Sequence, residues 1–356
     1  LKTTKLKTEN NELGNAAWLL KMLPAIEPIK TRCEADYYGA SSLIAKALGL
    51  DTVPESLASW SHGIAYWKDL KLARQLVLTA TQLDRCLVCN KHQESFLRRK
   101  GYFRAHAVGA PILYVPEINV TRNKNSLLIM PTHSLYNTQH DWPFDAYAKY
   151  INTFRSEFKT IVACIHMNDV RKGHWPEAFE KMDIPWVRGA DSSDGNAYNR
   201  MAVIFKSFEY MTTNATTGSH ILYASYFGCK VSVAGPKAKY LPDDFRGVPW
   251  YDRNQKAMRY NHISMEKYLK CRRDPDFFLE PTEAGKNVEF AKKMLGLDCR
   301  RSPREVADLL GWNLAGQIEL RVRKTLKRGI TLPGKVGRKL WAILKNESAS
   351  ESPQLP

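Results

Sequence analysis

Leu127-Leu128-Ile129-Met130-Pro131-Thr132-His133-Ser134, followed by Thr160-Ile161-Val162-Ala163-Cys164-Ile165-His166-Met167-Asn168-Asp169, decides the fold class. Each piece is a short apolar run that stops at a polar turn carrying a histidine. Unbroken apolar runs of this length read as strands buried on both faces, which belong to a parallel sheet. Between them, Phe144–Phe158 sets Phe144, Tyr147, Tyr150, Ile151 and Phe154 at the spacing of an amphipathic helix. The alternation continues with helices over Pro176–Met182, Tyr198–Phe208 and His220–Phe227. Strands over Pro185–Val187, Glu209–Met211 and Lys230–Ala234 alternate with them. This order predicts a doubly wound α/β domain over 126–300.

Toward the N-terminus the spacing is less regular. A helix is expected over Ala40–Leu48 and another over His92–Lys100. Strands are expected over Leu57–Trp60, Leu76–Thr81, Cys86–Asn90 and Val108–Tyr114. Residues 1–115 therefore read as a second α/β unit. Val115–Asn125, with Pro116 and three asparagines, reads as a linker. Residues 301–346 read as a basic amphipathic helical tail. The last ten residues, rich in Ser, Glu and Pro, read as a disordered end.

The 356 residues include 53 Lys+Arg and 36 Asp+Glu, a formal charge of +17 that calls for an anionic partner. Composition is that of a globular protein, and no apolar run is long enough to span a bilayer. The Lys/Thr/Asn-rich opening does not read as a signal peptide, and a start at Leu1 points to a longer parent chain. Seven scattered cysteines fit reduced thiols better than a disulfide framework. Cys86 and Cys89 form a CxxC inside an apolar stretch with no second pair at zinc spacing, so a structural role is expected and no metal site. Between Glu319 and Asn346, nine basic residues face one acid, which leaves 9 − 1 = +8 on that segment. Leu320, Val322, Leu326, Trp341, Ile343 and Leu344 are interleaved with those charges. That pattern suits an anionic membrane surface, and the competing reading is a solvated packing helix.

In an open parallel sheet, ligands bind beyond the carboxyl ends of the strands. Those ends here read Pro131-Thr132-His133-Ser134, His166-Met167-Asn168-Asp169, Arg188-Gly189-Ala190-Asp191 and Thr216-Thr217-Gly218-Ser219-His220. All are polar and three carry histidine. The last joins a strand to a helix, so hydroxyls and backbone N–H groups crowd a helix start, where an anion is favoured. A phosphate cradle is expected there, against ordinary helix capping, which needs one hydroxyl only. Neither the phosphate-loop lysine motif nor GxGxxG is present, which removes kinase, ATPase and dehydrogenase readings.

Trp60-Ser61-His62-Gly63, Gly109-Ala110-Pro111-Ile112-Leu113-Tyr114, Pro131-Thr132-His133-Ser134, Ile165-His166 and Thr216-Thr217-Gly218-Ser219-His220-Ile221-Leu222-Tyr223-Ala224 carry a resemblance to the GT-B glycosyltransferases over about 57–235. Within that superfamily the chain resembles bacterial capsule, O-antigen and teichoic-acid transferases and the sialyltransferase-like group. The resemblance implies two Rossmann-like domains and transfer of a sugar from a nucleotide-sugar to a glycan or lipid-linked acceptor. It also implies a His-Gly loop facing the cleft and a hydroxyl pair on the donor phosphate. Met167 stands where many relatives have Pro, and Thr216-Thr217 replaces the more usual Ser-Ser. A CMP-activated acidic sugar such as Kdo or sialic acid is the expected donor.

Such a reaction needs a base on the acceptor side and stabilisation of the departing phosphate. Asp141, before Trp142-Pro143, and the imidazoles of His62 and His133 are the catalytic candidates. Donor binding is assigned to His166, Asn168, Asp191, Thr216, Thr217, Gly218, Ser219 and His220, with no cofactor and no DxD metal motif. The expected location is cytoplasmic, peripheral at the inner face of the membrane through 319–346. The alternatives are a polyol-phosphate transferase or nucleotide-sugar epimerase of the same fold, or a basic nucleic-acid binder. The last is disfavoured, because the charge concentrates in the tail and no RRM, KH or zinc-finger signature appears.

Overall fold

The computed structural model describes residues 16–61, 70–134, 138, 140–215, 218–245, 254, 256 and 276–327. It is an α/β protein with two parallel sheets. The first sheet has three strands in the order β1-β2-β3: β1 Ala58–Trp60, β2 Arg85–Val88 and β3 Ala105–Ala107. The second has five, β4 Asn123–Ile129, β5 Thr160–Ile165, β6 Trp186–Arg188, β7 Phe208–Thr213 and β8 Lys230–Val233. Their order is β6-β5-β4-β7-β8, with every pairing parallel.

That order carries the functional geometry. The chain lays β5 and β6 to one side of β4, then returns through a helix to place β7 on the other side. The direction of winding reverses between β4 and β7. Crossover connections on either side of a reversal diverge, and a crevice opens beyond the carboxyl ends of those two strands.

Helices α1 Ala17–Leu20, α2 Ala40–Ala47, α3 Lys91–Arg99, α4 Phe144–Asn152, α5 Met167–Lys172, α6 His174–Glu180, α7 Ala197–Ser207 and α8 Ser219–Tyr226 accompany the strands. The helices α9 Val288–Leu295, α10 Pro303–Leu310 and α11 Leu314–Lys327 follow. Among these described helices, none is long and apolar enough to cross a membrane.

The period of two along the central strands explains the layering. Leu127, Ile129, Ala163, Ile165 and Trp186 enter one core with Tyr147, Trp175 and Phe179 of the helices on that face. Leu128, Val162, Cys164 and Val187 enter the other, with Phe205, Phe208 and Met211. That second core runs on without a break to Trp60, Leu87 and Val88 of the first sheet. Each buried Leu or Ile contributes on the order of 1.5–3 kcal/mol, so both faces of the sheet hold it in place.

Two segments tie the sheets together in ways the sequence order conceals. Residues 16–39 lie against the second sheet: Trp18 packs on Phe208, and Ile29 and Tyr38 donate backbone N–H groups to Ser193 and Ser192 carbonyls at 2.8 and 2.9 Å. Gly39, at φ +75°, lies so close to Gly195 that a Cβ would sit 2.2 Å from its carbonyl oxygen. The chain returns at its other end. Ser302 caps α10 in a reciprocal box with Glu305, and α10 packs on α2 and β2. Glu319 on α11 then bridges Arg85 of β2 at 3.1 Å and Arg104 at 2.7 Å.

Three local expectations need correction. Leu76–Thr81 is not a strand: the Glu34 carboxylate gathers the N–H groups of Leu78 and Thr79 and the Thr79 hydroxyl, so these groups serve a side chain instead of a ladder. Val108–Tyr114 is a loop and a 3-10 turn over Pro111–Tyr114, where Pro111 presets the turn. Val115–Asn125 is no mere linker, since β4 begins within it at Asn123. Cys86 and Cys89 are buried free thiols pushed up to about 12 by burial, the environment of inert core cysteines.

Candidate functional site

The crevice is built from the ends of β4, β5 and β7. At its reversal point Asn214, just past β7, reaches across to the segment leaving β4. Its Oδ1 accepts from the Thr132 N–H at 2.9 Å and from the Thr132 hydroxyl at 3.1 Å. Trp175 donates its indole N–H to the Thr132 carbonyl at 2.9 Å. Thr132 is thus fixed from three directions.

The next residues are fixed by α5. The stretch His166-Met167-Asn168-Asp169 follows β5 directly, with α5 beginning at Met167 and His166 capping it. The Asp169 carboxylate accepts from the Ser134 N–H at 2.9 and 3.2 Å, and the Asn168 amide donates to the Ser134 carbonyl at 3.2 Å. Asn168 therefore positions the loop after β4, through a backbone group, from the neighbouring strand end.

Three imidazoles gather here. The rings of His133 and His166 stack with centroids 4.6 Å apart and 23° between planes. His166 Nδ1 accepts the Asn168 N–H at 3.2 Å, which assigns the ring proton to Nε2. His133 Nδ1 lies 3.3 Å from the Ser134 carbonyl, an acceptor only, which places its proton on Nδ1 and leaves Nε2 with a lone pair. The stack so presents one N–H donor and one basic nitrogen side by side. His220, the second residue of α8, shares a 3.1 Å hydrogen bond between Nε2 and the Thr213 hydroxyl. Gly218 makes that placement possible, because a Cβ there would stand 2.3 Å from the His220 ring.

Burial decides the charge of two of these rings. Loss of hydration, with the difficulty of charging two neighbouring imidazoles at once, holds His166 well below the usual imidazole range and His220 down to about 3. Both are neutral near pH 7. They offer hydrogen bonds to an anion, and a bound dianion would restore their basicity by supplying the missing opposite charge. Two further groups invite a ligand: Ser134 Oγ and Asn214 Nδ2 are buried with no partner among the described residues. Leaving such groups unmet costs about 1–3 kcal/mol each, which an acceptor oxygen would recover.

The sequence did not single out Tyr38. Its hydroxyl stands 3.5 Å from His166 Nε2 and its ring packs edge-on against His166 with centroids 6.3 Å apart. Tyr38 has φ +58°, uncommon for a bulky residue, and its N–H is held by the Ser192 carbonyl. The one trace in the sequence is an aromatic pair preceding Gly39.

A second set borders the first. His140 is buried, stacks on Trp142 at 4.1 Å, and joins Thr138 Oγ1 at 2.9 Å to Asp244 at 2.8 Å. Burial pushes its imidazole down despite the carboxylate. Tyr240 donates its hydroxyl to the His133 carbonyl at 2.5 Å, so the segment after β8 is latched onto the segment after β4. Asp141, between the two latched residues His140 and Trp142, is exposed and has no hydrogen-bond or ion-pair partner among the described residues.

The remaining expected site residues fall as follows. Asp191 accepts from Ser193 N and Oγ and pairs with Arg171 at 3.2 Å. Its neighbour Asp194 is buried, takes the N–H groups of Glu27 and Asn196, and belongs to the framework. Ser219 opens α8 with Gly218 before it. His62, Thr216 and Thr217 lie outside the described residues. Among the described residues no cluster of three or more His, Cys, Asp or Glu is placed to hold a metal ion.

Fold and site together define an α/β protein with a histidine-lined crevice where its parallel sheet reverses. No family model and no curated protein matches the chain.

Proposed function

We propose that the protein is a glycosyltransferase of the GT-B type, with two Rossmann-like domains, taking a nucleotide-sugar as donor. The observation that carries this reading is the grouping of His133, His166, His220, Ser134 Oγ and Asn214 Nδ2 at the sheet reversal. Neutral imidazole donors, a hydroxyl and an amide suit the oxygens of a phosphate whose charge grows as the glycosidic bond breaks. In this reading Thr216, Thr217, Gly218 and Ser219 hold the same phosphate at the start of α8, and Asn168 fixes the loop that presents His133. Asp141 or His62 activates the acceptor hydroxyl, and the free Nε2 of His133 is a further proton acceptor.

The donor is proposed to be CMP-activated, and the acceptor a glycan or lipid-linked saccharide in surface polysaccharide assembly on the cytoplasmic face of the membrane. Arg323 and Lys324 of the tail are paired with Asp84 and Glu55 within the protein. Attraction to anionic lipid is therefore assigned chiefly to the basic residues beyond Lys327. Co-sedimentation with anionic but not neutral vesicles checks that assignment.

A thermal-shift panel of CMP, CDP, UDP and GDP tests the central claim. One nucleotide should stabilise the protein, and the His166→Phe variant should lose that response. Stabilisation by none of the four would remove the nucleotide-sugar reading. With the stabilising nucleotide's sugar donor, transfer must require an acceptor, since conversion of free donor alone would identify an epimerase.

A further inference from the structure

Beside α7 and α8 lies a cavity of about 770 Å³ that the site above does not use. Lys206 is the penultimate residue of α7 and Phe227 caps the C-terminus of α8, and both line it. The cavity reaches along α7 from Asn199 near its start to Lys206 near its end, and shares no lining residue with the histidines. Its volume is within the range of small-molecule sites.

Two properties of the wall define what fits. The floor is apolar, with Leu43, Ile112, Leu113 and Val115 contributing. Over it stand four cations, Lys46, Lys206, Lys292 and Arg300, against the single carboxylate of Glu117. Lys46 and Lys292 are each paired with a glutamate, Glu27 and Glu289. Lys206 and Arg300 have no carboxylate partner among the described residues. Lys206 donates to the Ile118 carbonyl at 2.7 Å and lies 6.0 Å above the Phe227 ring, and Arg300 lies 5.4 Å above Tyr114. Aromatic contact orients these cations without neutralising them.

We infer that this cavity binds an amphiphile with a phosphate ester head and an apolar chain. The phosphate meets Lys206 and Arg300, and the chain covers the aliphatic floor. Neither an inorganic anion nor a neutral lipid satisfies both. The inference stands apart from the proposed sugar transfer, since it shares no residue with the histidine crevice.

Titration calorimetry on the full chain tests it with three probes: 1-octanoyl glycerol 3-phosphate below its micelle concentration, glycerol 3-phosphate, and 1-octanoyl glycerol. The first should bind at one site, and the other two at least about 10-fold more weakly, because each lacks either the chain or the charge. The paired variant Lys206→Gln/Arg300→Gln should weaken the first probe by about 10- to 100-fold. Ala47→Trp, at the exposed rim, should block it by filling space without disturbing the core. Absence of binding by the first probe would overturn the inference, as would equal binding of all three. Unchanged affinity in both variants would overturn it too. The nucleotide thermal shift, read on the same variants, reports on the crevice alone.

Discussion

Asn214 and Thr132 face each other across the line where the sheet reverses, and a single carboxamide oxygen accepts both the backbone N–H and the hydroxyl of Thr132. Thr132 follows β4 and Asn214 follows β7, strands that are neighbours in the sheet and far apart in the chain. The bond pair fixes the opening angle of the crevice, and with it the position of His133 on one side and of α8 on the other.

Replacing Asn214 by Ala should therefore cost about 1–3 kcal/mol, because both Thr132 donors are buried and lose their acceptor together. Urea denaturation of the variant and the parent measures this directly. Identical midpoints would mean that the clamp has a replacement.

Acid should loosen the crevice before the rest of the fold. His166 and His220 are neutral in the folded protein, with His220 held down to about 3, while an unfolded histidine titrates near 6.5. The unfolded chain thus binds protons that the folded one does not. Their contribution is fully present above about pH 6.5 and declines as pH falls toward the folded values, by up to about 1.4 kcal/mol per pH unit for each ring. His220→Gln should flatten the stability curve between about pH 6 and 4. An unchanged slope would show that the ring is hydrated in solution.

Gly218→Ala should displace His220, since the new methyl would overlap the ring. The His220–Thr213 hydrogen bond would break, and the imidazole should titrate closer to 6.5 in a nitrogen-detected NMR experiment. Gly285→Ala serves as the control, because its Cβ meets nothing within 4 Å. Matching histidine titrations in the two variants would contradict this geometry.

Glu319→Gln should release α11. The carboxylate serves Arg85, Arg104 and Arg323 together, and the bond from Arg104 with the neighbouring guanidinium charges holds it down to about 2. Its stabilisation is complete above about pH 4.5 and lost as pH falls toward 2. The substitution leaves three cations facing one another, at a cost on the order of 1–2 kcal/mol for a part-exposed network. Limited proteolysis near α11 should speed up accordingly, and an unchanged cleavage rate would argue that α10 alone holds the C-terminal region.

The alternating pattern from Leu127 onward was enough to predict parallel strands and the helices between them, because burial on both faces leaves a local signature in each strand. The histidines at the strand ends were legible for a related reason: a polar residue right after an apolar run has only the end of the sheet to occupy. His133 and His166 were found that way, and His220 from the polar segment that joins a strand to a helix. The order β6-β5-β4-β7-β8 was not, since strand adjacency depends on which strands pair across the fold.

Tertiary structure alone decided the remainder. Tyr38 reaches His166 because residues 16–39 cross to the second sheet, through backbone bonds that any side chain permits. The cations of α11 read as a solvated or membrane-facing row, yet Arg323 and Lys324 turn to acids contributed by the first sheet's loops. The charge state of His166 and His220 follows from enclosure, a property of all the surrounding elements at once. Local composition determines which residues must be buried and where chains must turn. Only the long-range packing determines which polar groups meet, and at this crevice that meeting sets the chemistry.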